Sequence, residues 1–221
     1  MKKLTIAIDG PVGSGKSTAA MRVAELLAYD YIETGAMYRA VGLAALEAGV
    51  RLDDAVAVAR IAQTAKIDVR WEGRRTRVWL DGREMSEEIR RPEAAEAASR
   101  VSAIAGVRES LVRKQKELAA EGGVVMEGRD IGSVVLPHAD LKLFLTASVE
   151  RRARRRLDEM AERGELVAFD RMRMEVAERD RRDSQRAASP LVAAPDAIVV
   201  DSTAMEAEEV ARVIVLLAQQ R

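Results

Sequence analysis

The stretch "GPVGSGKS" at positions 10–17 fits the pattern G-x-x-x-x-G-K-[ST]. Its chemistry is phosphate binding. Gly10, Gly13 and Gly15 let the main chain approach an anion closely, and the N–H groups of such a loop point inward at a helix N-terminus. Lys16 is placed to neutralise the β- and γ-phosphates of a nucleoside triphosphate, and the Ser17 hydroxyl to reach Mg²⁺. An apolar run precedes the loop and a helix former, "TAAMRVAELLA", follows it, which is the context such a loop requires. The whole segment, from Gly10 through Pro11, Val12, Gly13, Ser14, Gly15, Lys16 and Ser17 to Thr18, is expected to hold ATP.

Four further stretches carry chemistry-bearing types. In "ETGAMYRA" (33–40), Thr34 and Arg39 can face the crevice of the phosphate loop, and a planar guanidinium suits a phosphate monoester. In "VVMEGRDIGSVVLP" (124–137) a buried strand runs into Glu127, Gly128, Arg129 and Asp130, at the strand end where ligands collect in open α/β sheets. Between 150 and 186 stand twelve arginines and ten acids. Helical spacing puts Arg152, Arg155 and Arg156 on one face, and Arg179, Asp183 and Arg186 on another. A helical hairpin of this kind could close over ATP and stabilise charge in the transition state. In "AASRVSAIAGVRESLVRKQKEL" (97–118), an amphipathic segment that reads as a helix, Ser99 and Arg108 could point back at an acceptor. His138, in "LPHAD", reads as a surface loop residue.

The elements that must position these residues follow from hydrophobic pattern. "LTIAI" (4–8), "YIET" (31–34), "GVVME" (123–127), "LKLFLTA" (141–147) and "DAIVVDS" (196–202) are short apolar runs separated by helical patterns. The helices run to about Leu27, over 36–48 to Gly49, and over about 206–219. Such alternation suits parallel strands covered on both faces, a three-layer α/β fold. One segment breaks the rhythm. In 66–85, Ile67, Val69 and Trp71 alternate with polar residues, as do Val78 and Leu80, with Gly73 and "DG" at 81–82 as turns. It reads as a small inserted antiparallel sheet or as a hairpin decorating an edge.

Composition excludes other classes. The 36 basic and 36 acidic residues of the 221 cancel, so no global field draws the chain to nucleic acid or anionic membrane. The arginine-rich segment carries too little uncompensated charge for non-specific nucleic-acid binding, and aromatic residues are scarce at 3%. With no cysteine there are no disulfides, thiolate zinc sites or thiol nucleophiles. No stretch approaches the roughly 20 apolar residues of a membrane span. Asp9 cuts the N-terminal apolar run short of a signal sequence, and a soluble, cytoplasmic protein is expected.

In order, "IDGPVGSGKST", "ETGAMYRAV", "GVRESLVRKQ", "MEGRDIGSVV" and "ERDRRDSQRAASPL" resemble the bacterial cytidylate kinase family, over nearly the whole chain. That resemblance implies a P-loop kinase core of residues 1–65 and 96–221, a lid at about 151–168, and an inserted monophosphate-binding subdomain at 66–95. It implies transfer of phosphate from ATP to CMP or dCMP with Mg²⁺, by a monomer with no nucleic-acid or membrane partner. Arg39 and Arg129 would clamp the CMP phosphate, and Ser99, Arg108 and Asp130 would read the cytosine. Thr34, Arg179, Asp183 and Arg186 would line the ribose and phosphate side, with Tyr38 in the same acceptor set. Lys16, Arg129, Arg155 and Arg156 would stabilise the transferring phosphoryl group. Two positions depart from relatives: Thr34 stands where many carry serine, and Glu127 where some carry aspartate. A kinase of another small acceptor and an RNA-binding regulatory ATPase are the competing readings.

Overall fold

The computed structural model describes residues 3–72, 75–162, 164–186 and 189–221. Five parallel strands form the main sheet: β1 (Thr5–Asp9), β2 (Asp30–Glu33), β6 (Val124–Gly128), β7 (Leu141–Thr146) and β8 (Ile198–Asp201), in the order β2-β6-β1-β7-β8. The central strand shows why these runs are strands. Ile6 and Ile8 point to one face, packed on helices α1 (Lys16–Leu27) and α8 (Ala207–Ala218), while Ala7 points to the other with Met126 and Val135. Both faces are covered, so the strands read as continuous apolar runs rather than as half-polar alternation. On the second face lies α5 (Ala105–Leu118), which contributes Val112. The expected three-layer fold is the fold observed.

The direction in which successive connections move along the sheet reverses between β1 and β6. After β1 the chain crosses to the β2 edge, through α1 and then into α2 (Thr34–Glu47); after β6 it crosses β1 to reach β7. In open α/β sheets the crevice forms at such a point. Asp9 and Gly128, the last residues of β1 and β6, lie side by side in register, so the glycine loop and the "GRD" turn leave the sheet together.

The inserted segment forms its own antiparallel sheet, β3 (Ile67–Glu72), β4 (Arg75–Leu80) and β5 (Arg83–Glu84). Its tight turn at Asp81 and Gly82 has positive φ at both residues, 50° and 85°, as a two-residue hairpin loop demands. The expected turn at Gly73 lies outside the described residues. Val69, Val78 and Leu80 bury one face against α2, α3 (Ala55–Thr64), α4 (Pro92–Val101) and α5, sharing one apolar cluster with them. Trp71 instead meets the Tyr31 ring of β2 edge-on at 5.0 Å, and Arg70 lies 4.9 Å over the Trp79 ring.

The 97–118 segment is not one helix. It breaks at Ser102–Ile104 into α4 and α5. The Ser102 hydroxyl donates to the Ser99 carbonyl, and its own carbonyl accepts from Arg108 instead of from a continuing helix. The arginine-rich region forms the expected hairpin, α6 (Val149–Ala161) and α7 (Phe169–Gln185), joined through Met172, Val176, Ala153 and Phe169; Arg163 of the expected lid lies outside the described residues. His138 is exposed in a turn.

Candidate active site

A cleft of about 400 Å³ opens at the C-terminal ends of β1, β2 and β6, walled by the phosphate loop, α2, α4 and the α6–α7 hairpin. Of the expected site residues it gathers Val12, Gly13, Lys16, Ser17, Thr34, Tyr38, Arg39, Ser99, Arg108, Arg129, Asp130, Arg156, Arg179, Asp183 and Arg186 on one wall surface. Among the lining residues cations outnumber carboxylates, since Arg90 and Arg91 join from the insert while Glu33, Glu127, Glu159 and Glu165 oppose them. An excess of cations in a concave, partly dry space focuses potential on an anion.

The loop geometry accounts for its glycines. A Cβ on Gly10 would sit 2.0 Å from the Leu145 carbonyl oxygen, and Gly13, at φ 73°, faces the Arg152 backbone. The Lys16 side chain is buried; its Nζ donates to the Pro11 carbonyl at 2.9 Å and lies 4.0 Å from Glu127. Burial, reinforced by Arg129, lowers the Lys16 pKa to about 7 despite the nearby Glu127. Ser17 donates to Glu127 at 2.8 Å, and the Tyr31 hydroxyl donates to the same carboxylate oxygen at 3.3 Å. Ser14 Oγ is fully buried without a protein partner. Gly10, Pro11, Ser14, Gly15 and Thr18 belong to the loop but not to the cleft wall, and the Thr18 side chain is exposed.

Opposite the loop stand two ion pairs. Arg108 and Asp130, both buried, bond directly, and the Arg108 guanidinium lies 5.8 Å over the Tyr38 ring. Arg129 donates to Asp183 at 2.8 Å. Burial alone would raise the Asp183 carboxyl, but Arg129, Arg179 and Arg186 outweigh it and hold the group below its usual range. Arg39 bonds Glu33 at 2.5 Å. Arg39 Nε, Arg179 Nε and Arg186 Nη2 are buried donors without a partner among the described residues. Burial and then Arg129 push Arg179 down to about 10. Such orphaned donors are rare in native proteins; those of Arg39, Arg179 and Arg186 belong to residues of this wall, while Arg151 Nε and Arg182 Nε belong to residues outside it.

Apart from those loop residues, one expected residue does not line the cleft. Arg155 lies behind the loop, donating to the carbonyls of Ser202 and Met205 at 2.8 and 2.9 Å and to Ser202 Oγ at 3.1 Å. Only Arg156 reaches the cleft, where it pairs with Glu159 at 2.6 Å. The physical reason is helical phase, since adjacent helix residues point about 100° apart and here only the Arg156 side of α6 faces the cleft. Arg152 is structural as well, bonded to Asp180, to the Ala147 carbonyl and to the Val12 carbonyl.

Sequence reasoning missed Asp9, Glu33, Ser102 and Asp180. A carboxylate ending a buried strand just ahead of a glycine loop is a signal that could have exposed Asp9. Glu33, six residues before Arg39, carries no signal of its own.

The chain is similar to known proteins along its whole length. The profile of the family described as cytidylate kinase matches residues 6–220. A cytidylate kinase of Pelotomaculum thermopropionicum is 50% identical over 211 residues, covering 95% of this chain and 93% of that one. Another, of Lysinibacillus sphaericus, is 46% identical over 220 residues, covering 100% and 98%. Among solved structures, a gluconokinase from Sinorhizobium meliloti aligns with a TM-score of 0.50 at 17% identity, over 99% of this chain and 94% of that one, a likeness of fold alone.

Proposed function

The chain belongs to the cytidylate kinase family, and on that premise we propose how its cleft performs the family's reaction. That reaction phosphorylates CMP and dCMP to CDP and dCDP with ATP as donor. The observation that carries the residue roles is the set of buried, unpartnered donors on Arg39, Arg179 and Arg186, facing the phosphate loop across one cleft.

The loop from Gly10 to Thr18 holds the ATP phosphates, with Lys16 released from the Pro11 carbonyl onto the β- and γ-oxygens. Arg39 and Arg129 hold the CMP phosphate, which requires Arg39 to leave Glu33. Asp130 accepts from the exocyclic amine of cytosine while Arg108 and Ser99 complete the base site, and Thr34, Tyr38, Asp183 and Arg186 flank the sugar. Ser17 and Glu127 form a hard-oxygen pair 2.8 Å apart that suits Mg²⁺, an ion that keeps most of its waters. Bound there, Mg²⁺ would supply positive charge that neutralises the charge developing on the phosphates. The acceptor is a phosphate oxygen, largely ionised already, so no side chain need act as base; positioning and electrostatics do the work. Arg155 acts from behind, holding residues 202–205 against the loop.

The same reading takes 1–65 and 96–221 as core, about 151–168 as lid and 66–95 as the monophosphate-binding insert. Supporting it, Thr76, Ile89, Arg90 and Arg91 of the insert lie on the cleft wall. It also takes the chain to act as a cytoplasmic monomer on small nucleotides. No described helix is long and apolar enough to cross a membrane.

A coupled assay with CMP, dCMP, UMP and AMP tests the reading. Turnover of CMP and dCMP well above the other two is expected; equal kcat/KM across the four would sink it. Arg156→Ala should lower kcat by about 10- to 100-fold with little change in the CMP KM, because a hairpin charge that meets phosphates on closure acts mainly in the transition state. Kinetics in which only the CMP KM rises would place Arg156 elsewhere.

The depressed Lys16 pKa of about 7 predicts proton uptake on ATP binding. In the empty site the amine is mostly neutral at about pH 8, and phosphate contact restores its charge, so uptake approaches one proton there. At about pH 5.5 the free amine is already charged and this uptake vanishes. Calorimetry in buffers of different ionisation enthalpy reads the difference; uptake independent of pH would contradict the burial argument.

A further inference from the structure

We propose that Asp9 is a positioning residue for acceptor recognition, holding the turn that carries Arg129 and Asp130 at a set distance from the phosphate loop. This rests on the roles given above to Arg129 and Asp130. Asp9 ends β1 and is only 3% exposed. Its two carboxylate oxygens accept the N–H groups of Ile131 and Gly132, each at 2.7 Å. Those are the residues immediately after Arg129 and Asp130, and Asp9 itself immediately precedes Gly10. One side chain therefore ties the start of the donor loop to the end of the acceptor turn.

A carboxylate fork is the side chain suited to two adjacent N–H donors, and such charge-assisted bonds are roughly twice as strong as neutral ones. The arrangement has a cost. Among the described residues no cation bonds this carboxylate, and burial raises its pKa to about 6 against the two N–H bonds that lower it. A cost of this kind is explained if the turn must be held rigidly. Arg129 reaches to Asp183 and Asp130 to Arg108, so the backbone between two diverging ion pairs has to be fixed from a third direction. Binding groups need placement within about 0.5 Å to act together.

Asp9→Asn tests this at nearly constant volume, since one oxygen remains and the amide presents a donor to a donor. The expected result is a CMP KM at least about tenfold higher, an ATP KM within about twofold of wild type, and a narrowed CMP/UMP ratio of kcat/KM. CMP and ATP constants that rise together, or a CMP KM that does not move, overturn the proposal by leaving Asp9 a merely structural residue. If the variant shows no cooperative melt, Gly132→Ala serves instead. There the added methyl would meet the Lys142 side chain at 3.3 Å, so the turn or that side chain must shift by a few tenths of an ångström, while the Asp9 carboxylate at 3.5 Å stays in ordinary contact, a mild displacement of the turn that alters no buried charge. A CMP KM raised about threefold with unchanged ATP KM supports the proposal in that case, and unchanged constants end it. Wild-type turnover of CMP in the same assay keeps the two ideas apart. Its absence refutes the kinase reading itself, whereas its presence with unaltered variants refutes only the role of Asp9.

Discussion

Lys16→Met folds and loses at least about 10²-fold in kcat, roughly 2.7 kcal/mol of transition-state stabilisation. Methionine keeps most of the buried aliphatic volume and removes the charge. The resting lysine bonds one carbonyl, that of Pro11, and stands 4.0 Å from Glu127. Glu127 retains its bonds from Ser17 and Tyr31 when the amine is gone. Burial already disfavours the charged amine, so the substitution breaks no strong buried pair and the melting transition should stay close to wild type. In the reaction, by contrast, the ammonium is set against the oxygens on which charge accumulates. Steady-state turnover together with a thermal melt decides the matter. A folded variant that keeps more than about a tenth of wild-type kcat, a loss under roughly 1.4 kcal/mol, would falsify the assignment.

Asp130→Asn and Arg129→Ala should separate base reading from phosphate holding. A carboxylate that accepts from the C4 amine of cytosine meets a carbonyl oxygen in UMP, and a mispaired buried polar site costs a few kcal/mol. Wild type is therefore expected to favour CMP over UMP by about 10² or more in kcat/KM. Asp130→Asn should shrink that ratio severalfold or more, chiefly by losing activity on CMP. It also weakens the grip on Arg108, the partner of Asp130 in a buried pair, so both base readers loosen together. Arg129→Ala removes a phosphate ligand common to every monophosphate. Asp183 keeps Arg179 and Arg186 nearby to stabilise its charge. Activity should fall on CMP and UMP alike, leaving the ratio nearly unchanged. A ratio that holds in Asp130→Asn defeats the base-reading role; one that collapses in Arg129→Ala defeats the division of labour.

What the sequence made legible was whatever is local. The phosphate loop is read from the local spacing of glycines, lysine and serine, although the Cβ atoms that Gly10 and Gly13 lack would meet Leu145 and Arg152 far along the chain, and β1 from an apolar run that needs no partner to be recognised. The small antiparallel sheet shows itself through alternation at Val69, Val78 and Leu80 and through the Asp81–Gly82 turn. Features decided by distant partners stayed hidden. Asp9 meets N–H groups more than a hundred residues away. The break between α4 and α5 has neither glycine nor proline to announce it, and rests on Ser102 giving its carbonyl to Arg108. In α6 three consecutive arginines offered no clue to phase. Only packing against Ser202 and Met205 on one side and the cleft on the other distinguishes Arg155 from Arg156.

Both tryptophans of the chain, Trp71 and Trp79, stand on the small antiparallel sheet. The molecule's indole fluorescence thus originates from a single place. Trp71 rests on the edge of Tyr31, so its emission registers any shift of that sheet against β2, and Trp79, beneath Arg70, registers the exposed side. The α6–α7 hairpin has no indole and is optically silent. Unlabelled protein in a rapid-mixing instrument accordingly times the response of the sheet alone. A second protein with both Trp71 and Trp79 replaced by phenylalanine and one tryptophan added on α7 would report the hairpin alone, so that each rate is read on its own.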